Sequence, residues 1–233
     1  MEAVSLFKAN RLMDAIEELG SELRKQPSDT KLRTFLFELL CFAGEYERAE
    51  KQLEILVANA GAPELGAALY RGLLRAQRKR EEVFLRVEEL PAETGEGLRG
   101  LVNDDSFESC VDEDSRVGAC LEIFADGEYV RVPFNTIERM ETSEPKTLRD
   151  LLWLPGRLTQ SQSQGVANTA EVHIPVLAPF SWKHPDEAVR LGRVSVTDLH
   201  DEGYVIPFGS KVFLFGDREV PLLEIRSLVF VQK

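Results

Sequence analysis

A chain of 233 residues exceeds the common single-domain length of about 100–200, so two modest units are expected. Its 43% apolar and 29% charged residues can fill a core and exclude a disordered chain. The net charge of −12, of which −9 falls in residues 96–233, repels phosphate backbones and anionic headgroups; a general nucleic-acid or membrane role is disfavoured, and solubility or a basic partner is favoured.

At the start, Met1 to Lys8 lack a basic stretch followed by an apolar run, so no secretory signal is read there. The most apolar window, Phe35 to Ala43, is broken by Glu38 and falls short of the roughly 20 residues a membrane span needs. Cys41, Cys110 and Cys120 are odd in number and lack CxxC spacing, which fits buried thiols in a reducing compartment rather than a disulfide frame or zinc site. A cytoplasmic location is expected.

The first sixty residues repeat at an offset of 34. Leu6 matches Leu40, Leu12 matches Tyr46, Ala15 matches Ala49, Leu19 matches Leu53 and Leu23 matches Val57, with Asn10 and Gly44 at the turns. That period is the tetratricopeptide one, in which a small residue such as Ala15 lets paired helices approach. Leu32, Phe35, Leu36, Leu39, Leu40 and Ala43 form one helical stripe, and Ser28 or Asp29 offers its N-cap. A third, weaker hairpin is expected over 64–89, with Val83 where the small residue belongs. So short an array needs support from the rest of the chain.

Pro91 to Gly97 breaks the helical period. The boundaries read as a helical repeat unit over 1–90, a linker over 91–105 and a β-rich α+β unit over 106–233. In the last, Leu121 to Phe124 and Tyr129 to Val132 predict a hairpin around Asp126-Gly127, whose residues tolerate the positive φ of a type I′ turn. Val172 to Leu177, Arg193 to Val196 and Lys211 to Phe215 predict further strands, with a turn at Gly216 to Glu219 leading into Val220 to Ile225. Thr147 to Trp153 predicts a short helix, and Gly156 to Thr169 a mobile surface loop.

Several segments resemble the ImpE/TagJ family of type VI secretion accessory proteins. They are Asp112 to Gly118 with Leu121-Glu122, Gly127-Glu128-Tyr129, Val132-Pro133-Phe134, Leu148 to Trp153, Ile174 to Leu177, Arg190 to Arg193 and Pro221 to Arg226, together with Lys31 to Leu40. Arg131 and Ser109-Cys110 depart from the family pattern, which carries tryptophan there. The resemblance implies a cytoplasmic factor that binds the N-terminal helix of the small contractile-sheath subunit and connects the sheath with its recycling ATPase.

A repeat of helical hairpins presents a groove suited to a helix or an extended peptide. In this register Lys31, Thr34, Glu38 and Cys41 face the groove, and Arg71 and Arg75 lie near its third unit. These six are the candidate partner-binding residues. The basic cluster Arg71, Arg75, Arg78, Lys79 and Arg80 reads either as a grip for an acidic segment or RNA, or as a solvated face offset by Glu81, Glu82, Glu88 and Glu89.

No catalytic, cofactor or metal site is read. An EF-hand loop beginning at Asp112 would need glycine and glutamate where Val117 and Ile123 stand, so turn formation with an Arg116 ion pair is preferred. His173, His184 and His200 lack zinc spacings, and neither GxSxG nor a phosphate-binding glycine motif occurs. The expectation is a non-catalytic adaptor of α+β class, a tetratricopeptide-like α-α superhelical repeat followed by a β-rich unit; the alternative is an enzyme with its pocket in the β-rich unit.

Overall fold

The computed structural model describes residues 2–60, 64–86, 95–161, 168–200 and 203–231. The first part is helical: α1 (Glu2–Lys8), α2 (Leu12–Lys25), α3 (Thr30–Phe42), α4 (Tyr46–Ala60) and α5 (Glu64–Phe84). The 34-residue repeat recurs in hydrogen bonding, since Arg11 N–H donates to the Leu6 carbonyl and Glu45 N–H to the Leu40 carbonyl, both at 2.9 Å. Asn10 and Gly44 both adopt left-handed φ, at 60° and 70°. Ala15 and Ala49 are fully buried, as the close approach of paired helices requires. Asp29 caps α3 by accepting from the N–H groups of Lys31 and Leu32 at 2.9 and 3.0 Å.

The expected third hairpin is one unbroken 21-residue helix over its described part. From Leu73 to Phe84 the sequence holds no glycine, proline or asparagine, and mostly strong helix formers, so nothing ends a turn early.

The second part contains β1 (Glu96–Val102), β2 (Asp105–Ser109), β3 (Val111–Asp112), β4 (Cys120–Ala125), β5 (Glu128–Pro133), β6 (Ile137–Thr142), β7 (Trp153–Gln160) and β8 (Asn168–Pro175). After a short helix α6 (Glu187–Arg190) come β9 (Val196–Leu199), β10 (Val205–Phe208), β11 (Val212–Phe215), β12 (Arg218–Pro221) and β13 (Ser227–Phe230). Eight strands form one antiparallel sheet in the order β2-β1-β13-β6-β7-β8-β4-β5, while β12-β11-β3 and β10-β9 form two smaller sheets. Phe134, Phe213 and Phe230 anchor the core between sheets, with the Phe134 and Phe230 rings stacked at 5.4 Å.

The predicted β4–β5 hairpin forms about Asp126-Gly127, at φ 51° and 76°. The segment read as linker, 91–105, contains strand β1 from Glu96, paired on both sides with β2 and β13; its earlier residues to Thr94 lie outside the described residues. The Thr147–Trp153 helix is a 3-10 turn over Leu148–Leu151, held by Asp150, whose carboxylate accepts from the N–H groups of Lys146 and Thr147. The region read as a mobile loop is strand at both ends, to Gln160 and from Asn168; 162–167 lie outside the described residues. The strand predicted over Arg193 to Val196 begins only at Val196, since Gly192 turns the chain at φ 66° just before it. Beyond β12 the chain leaves the extended form at Pro221 and makes a 3-10 turn over Leu222–Glu224.

Both parts share one hydrophobic cluster, in which Phe37, Leu40, Cys41 and Leu73 of the helices join Phe124, Leu152, Trp153 and Leu191. The stretch 180–193 straps the hairpin turns. Trp182 lies so close over Gly44 that a Cβ there would sit 2.4 Å from the indole. Arg193 donates to the Phe7 and Lys8 carbonyls that end α1, at 2.9 and 3.1 Å. Glu187 accepts from Leu12 N–H at 2.5 Å, placing a carboxylate at the N-terminus of α2 where the helix dipole favours it.

Candidate functional site

The six candidate residues part company in three dimensions. Lys31 is exposed at the start of α3, and Thr34, one turn on, is half-buried with its hydroxyl donating to the Thr30 carbonyl at 2.8 Å. One further turn along, Glu38 is largely enclosed beside Arg149. Burial pushes its carboxyl up to about 7, against the opposing pull of the Arg149 guanidinium. Cys41 does not face an open groove. It is 4% exposed and borders a small cavity of about 20 Å³ with Leu152, Trp153 and Trp182, because the β-rich part closes over the C-terminal end of α3.

On α5, Arg71 stands exposed with no hydrogen-bond or ion-pair partner among the described residues. Arg75 grips the β4–β5 turn, donating to the Gly127 and Asp126 carbonyls at 3.0 and 3.2 Å, with Glu128 at 3.7 Å. Gly72 and Gly127 permit this approach: a Cβ on Gly127 would lie 3.1 Å from the Gly72 Cα and 2.3 Å from the Arg75 guanidinium. The basic cluster therefore divides. Arg78 pairs with Glu50 at 3.0 Å, Lys79 with Glu82 at 3.5 Å, and Arg80 turns inward.

Arg80 enters a buried ionic network that joins α5 to the sheet. Its Nε and Nη2 donate to Glu122 of β4 at 2.8 and 2.7 Å, and its Nη1 to the Leu177 carbonyl at 2.9 Å. Glu122 also accepts from Tyr129 at 2.7 Å and Lys211 at 2.6 Å, and Lys211 reaches Asp112 of β3. Burial alone would raise the Glu122 carboxyl, but Arg80 and Lys211 outweigh it and hold it well below the usual range. Asp112 has fewer cations near it, and burial pushes it up to about 6 despite Lys211. Next to this network Arg116 makes the expected ion pair, bidentate to Asp114 at 2.8 and 2.7 Å. The Arg80, Arg116 and Arg131 guanidinium groups surround the Phe84 ring at 5.6, 4.8 and 4.7 Å. The network escaped sequence reasoning because its members are far apart in the chain; an isolated Lys211 beside a strand was the available signal.

The remaining chemistry is dispersed. His173 sits on β8, where burial and the nearby Arg149 depress its pKa; His184 packs on Phe208, and His200 stacks on Tyr204 at 4.2 Å. Burial raises the Cys41 and Cys110 thiols well above their ordinary value, keeping them protonated. Among the described residues no group of three His, Cys, Asp or Glu is placed to hold a metal ion, and no helix is long and apolar enough to cross a membrane. Two open clefts flank α5: one of about 460 Å³ between it and the sheet, the other of about 470 Å³ along Arg71, Arg75, Arg78 and Lys79.

The fold and sequence have known counterparts. The crystal structure of protein VPA1032 from Vibrio parahaemolyticus superposes with a TM-score of 0.85 at 23% identity, covering all of this chain and 98% of that one, which shows a shared fold. The type VI secretion system accessory component TagJ of Pseudomonas aeruginosa is 30% identical over 264 aligned residues, covering 99% of this chain and 91% of that protein. Residues 104–229 match the profile described as ImpE protein, which takes in the Asp112, Glu122 and Lys211 members of the buried network. With helical and β-rich parts both matched, the chain belongs to the ImpE family.

Proposed function

We propose that this chain is a non-catalytic, cytoplasmic adaptor of a type VI secretion system, as an accessory component like its Pseudomonas relative. The observation that carries the reading is 30% identity to that accessory component along 99% of the chain, helical repeat included. The partner is the N-terminal helix of the small contractile-sheath subunit, and the adaptor connects that subunit with the ATPase that recycles the sheath.

The geometry supports a docking surface at the open end of α3. Lys31, Thr34 and the outer edge of Glu38 succeed one another along its face before the β-rich part closes over Cys41, and Arg71 lies on neighbouring α5. The ionic network fixes α5 on the sheet and Arg193 fixes the end of α1, so the helices on either side of α3 are held to the β-rich part. An enzyme with a pocket in the β-rich part is the competing reading. Against it, Glu122 is saturated by donors from Arg80, Tyr129 and Lys211, and the buried thiols are protonated, so none of these groups is poised as base or nucleophile.

The test is capture of purified small sheath subunit by the tagged full chain, against a Lys31→Glu, Thr34→Arg variant with an unchanged circular dichroism melt. Capture by the native chain and a loss of at least about tenfold in the variant is expected. No capture by the native chain overturns the sheath partner, and equal capture by both moves the contact away from α3.

A further inference from the structure

Lys31, Thr34, Phe35 and Glu38 follow the spacing that brings side chains to one face of a helix, and none of the four is fully buried. Phe35 therefore shares the face on which Lys31 and Thr34 stand. Its ring meets that of Phe7 edge-on at a centroid distance of 5.7 Å, so α1 supplies one border of that face.

Helix α1 is poorly able to hold this position alone. It has seven residues, of which Ala3 alone is buried, and a helix well short of roughly 12–15 residues depends on what packs against it. Its turn into α2 is secured from far along the chain. Arg193 Nη1 donates to the Phe7 and Lys8 carbonyls at 2.9 and 3.1 Å and to Asn10 Oδ1 at 2.5 Å. The guanidinium also lies 4.6 Å from the Phe7 ring centroid, so one cation both closes the helix end and stacks on the ring. Arg11, at the N-cap of α2, makes no side-chain cap bond; Glu187 takes that place, accepting from Leu12 N–H at 2.5 Å and from Met13 N–H at 3.4 Å. The same strap closes the matching turn one repeat later, where Trp182 covers Gly44 and donates from Nε1 to Glu81 at 3.2 Å.

We propose that Arg193 is a positioning residue for the α3 face. By capping α1 and stacking on Phe7 it keeps the Phe7 ring against Phe35, so that a partner helix lying along Lys31 and Thr34 meets an aromatic flank. The consequence for binding rests on the α3 docking reading, whereas the ordering of α1 is read without any partner. Arg193 is itself exposed, so replacing it opens no cavity in the core. In this way the β-rich part sets the shape of a surface that it does not itself form.

The experiment uses the full chain with Arg193→Met, Arg193→Lys, Phe7→Leu and the Arg193→Met, Phe7→Leu double variant. Amide hydrogen exchange from Phe7 to Arg11 speeds up by about threefold or more in Arg193→Met, the order expected when a cation leaves a helix C-terminus. Exchange in α4 and β7 and the thermal melt stay as in the native chain. Arg193→Lys, which keeps a donor and a charge, recovers part of the protection. Capture of purified small sheath subunit falls by a similar factor in Arg193→Met and Phe7→Leu. The double variant loses no more than the more affected single one, because both changes act through one ring. Equal exchange at α1 in the native chain and Arg193→Met overturns the positioning role, and so does undiminished capture by Arg193→Met or additive loss in the double variant. No capture by the native chain removes the docking reading, and exchange at α1 then decides by itself whether Arg193 positions Phe7.

Discussion

Replacing Glu122 with glutamine keeps the side chain's shape while removing the carboxylate on which Arg80, Tyr129 and Lys211 converge. Arg80 and Glu122 are 1% and 0% exposed at their side chains, so water cannot make up the loss. In the native protein two cations, Arg80 and Lys211, face two anions, Glu122 and Asp112. After the change Lys211 retains Asp112, and Arg80 is left buried with only the Leu177 carbonyl and the glutamine oxygen as acceptors. Breaking a buried pair by removing one partner costs about 3–5 kcal/mol, a large share of the roughly 5–15 kcal/mol that holds a domain folded. Urea unfolding at pH 7 of Glu122→Gln, Arg80→Met and the double variant measures this. Each single variant loses about 3 kcal/mol or more, and the double loses clearly less than the sum, because Lys211 and Asp112 remain a balanced pair. Single losses below about 1 kcal/mol, or additive losses, would refute the idea that the network latches helix to sheet.

Two other perturbations draw on the same helices. Glu38 has a folded pKa of about 7 against an ordinary 4.5, so the fold favours its protonated form; its contribution is full below pH 4.5 and is lost as pH rises to 7. With Arg149, Asp150, Cys41 and Tyr70 as its charged or titratable neighbours, and allowing for solvent screening, the loss is about 1–2 kcal/mol. Glu38→Gln should regain that amount at pH 8 and nothing at pH 4, read by urea titrations at both; an equal gain at both would assign the effect to packing. Gly44→Ala forces a side chain into a left-handed position, costing about 1–2 kcal/mol, and drives Trp182 from its seat. A loss above about 2 kcal/mol with red-shifted tryptophan emission is expected, while Asn10→Gly, at the matching turn, leaves the emission unchanged.

Much of the helical part could be read before any coordinates. The 34-residue offset, the turns at Asn10 and Gly44 and the Asp29 cap depend on residues within a few positions of one another. The third hairpin failed because the apolar register continues through Leu74 without any residue that ends a helix, so periodicity alone could not place a turn. Strands β1, β6 and β13 were missed since each is stabilised by partners distant in sequence, Gly100 opposite Phe230 and Leu228 opposite Met140 among them. Lys31 and Thr34 follow one another on α3 as the helical period places them, yet the same register misplaced Cys41, because it says nothing of a later strand or turn that covers its far end.

By itself the sequence determined the repeat, its turns, the Asp126-Gly127 hairpin and, through motifs spread along the chain, the kinship with ImpE proteins. Only the tertiary structure decided how each cation is used. Arg71, Arg75 and Arg80 lie on one helix within ten residues, yet one has no partner among the described residues, one holds a turn and one is buried against Glu122. Local hydrogen bonding and turn chemistry act over a few residues and leave a mark in the sequence. The environment of a charge is set by whatever folds against it, here a strand 42 residues further on.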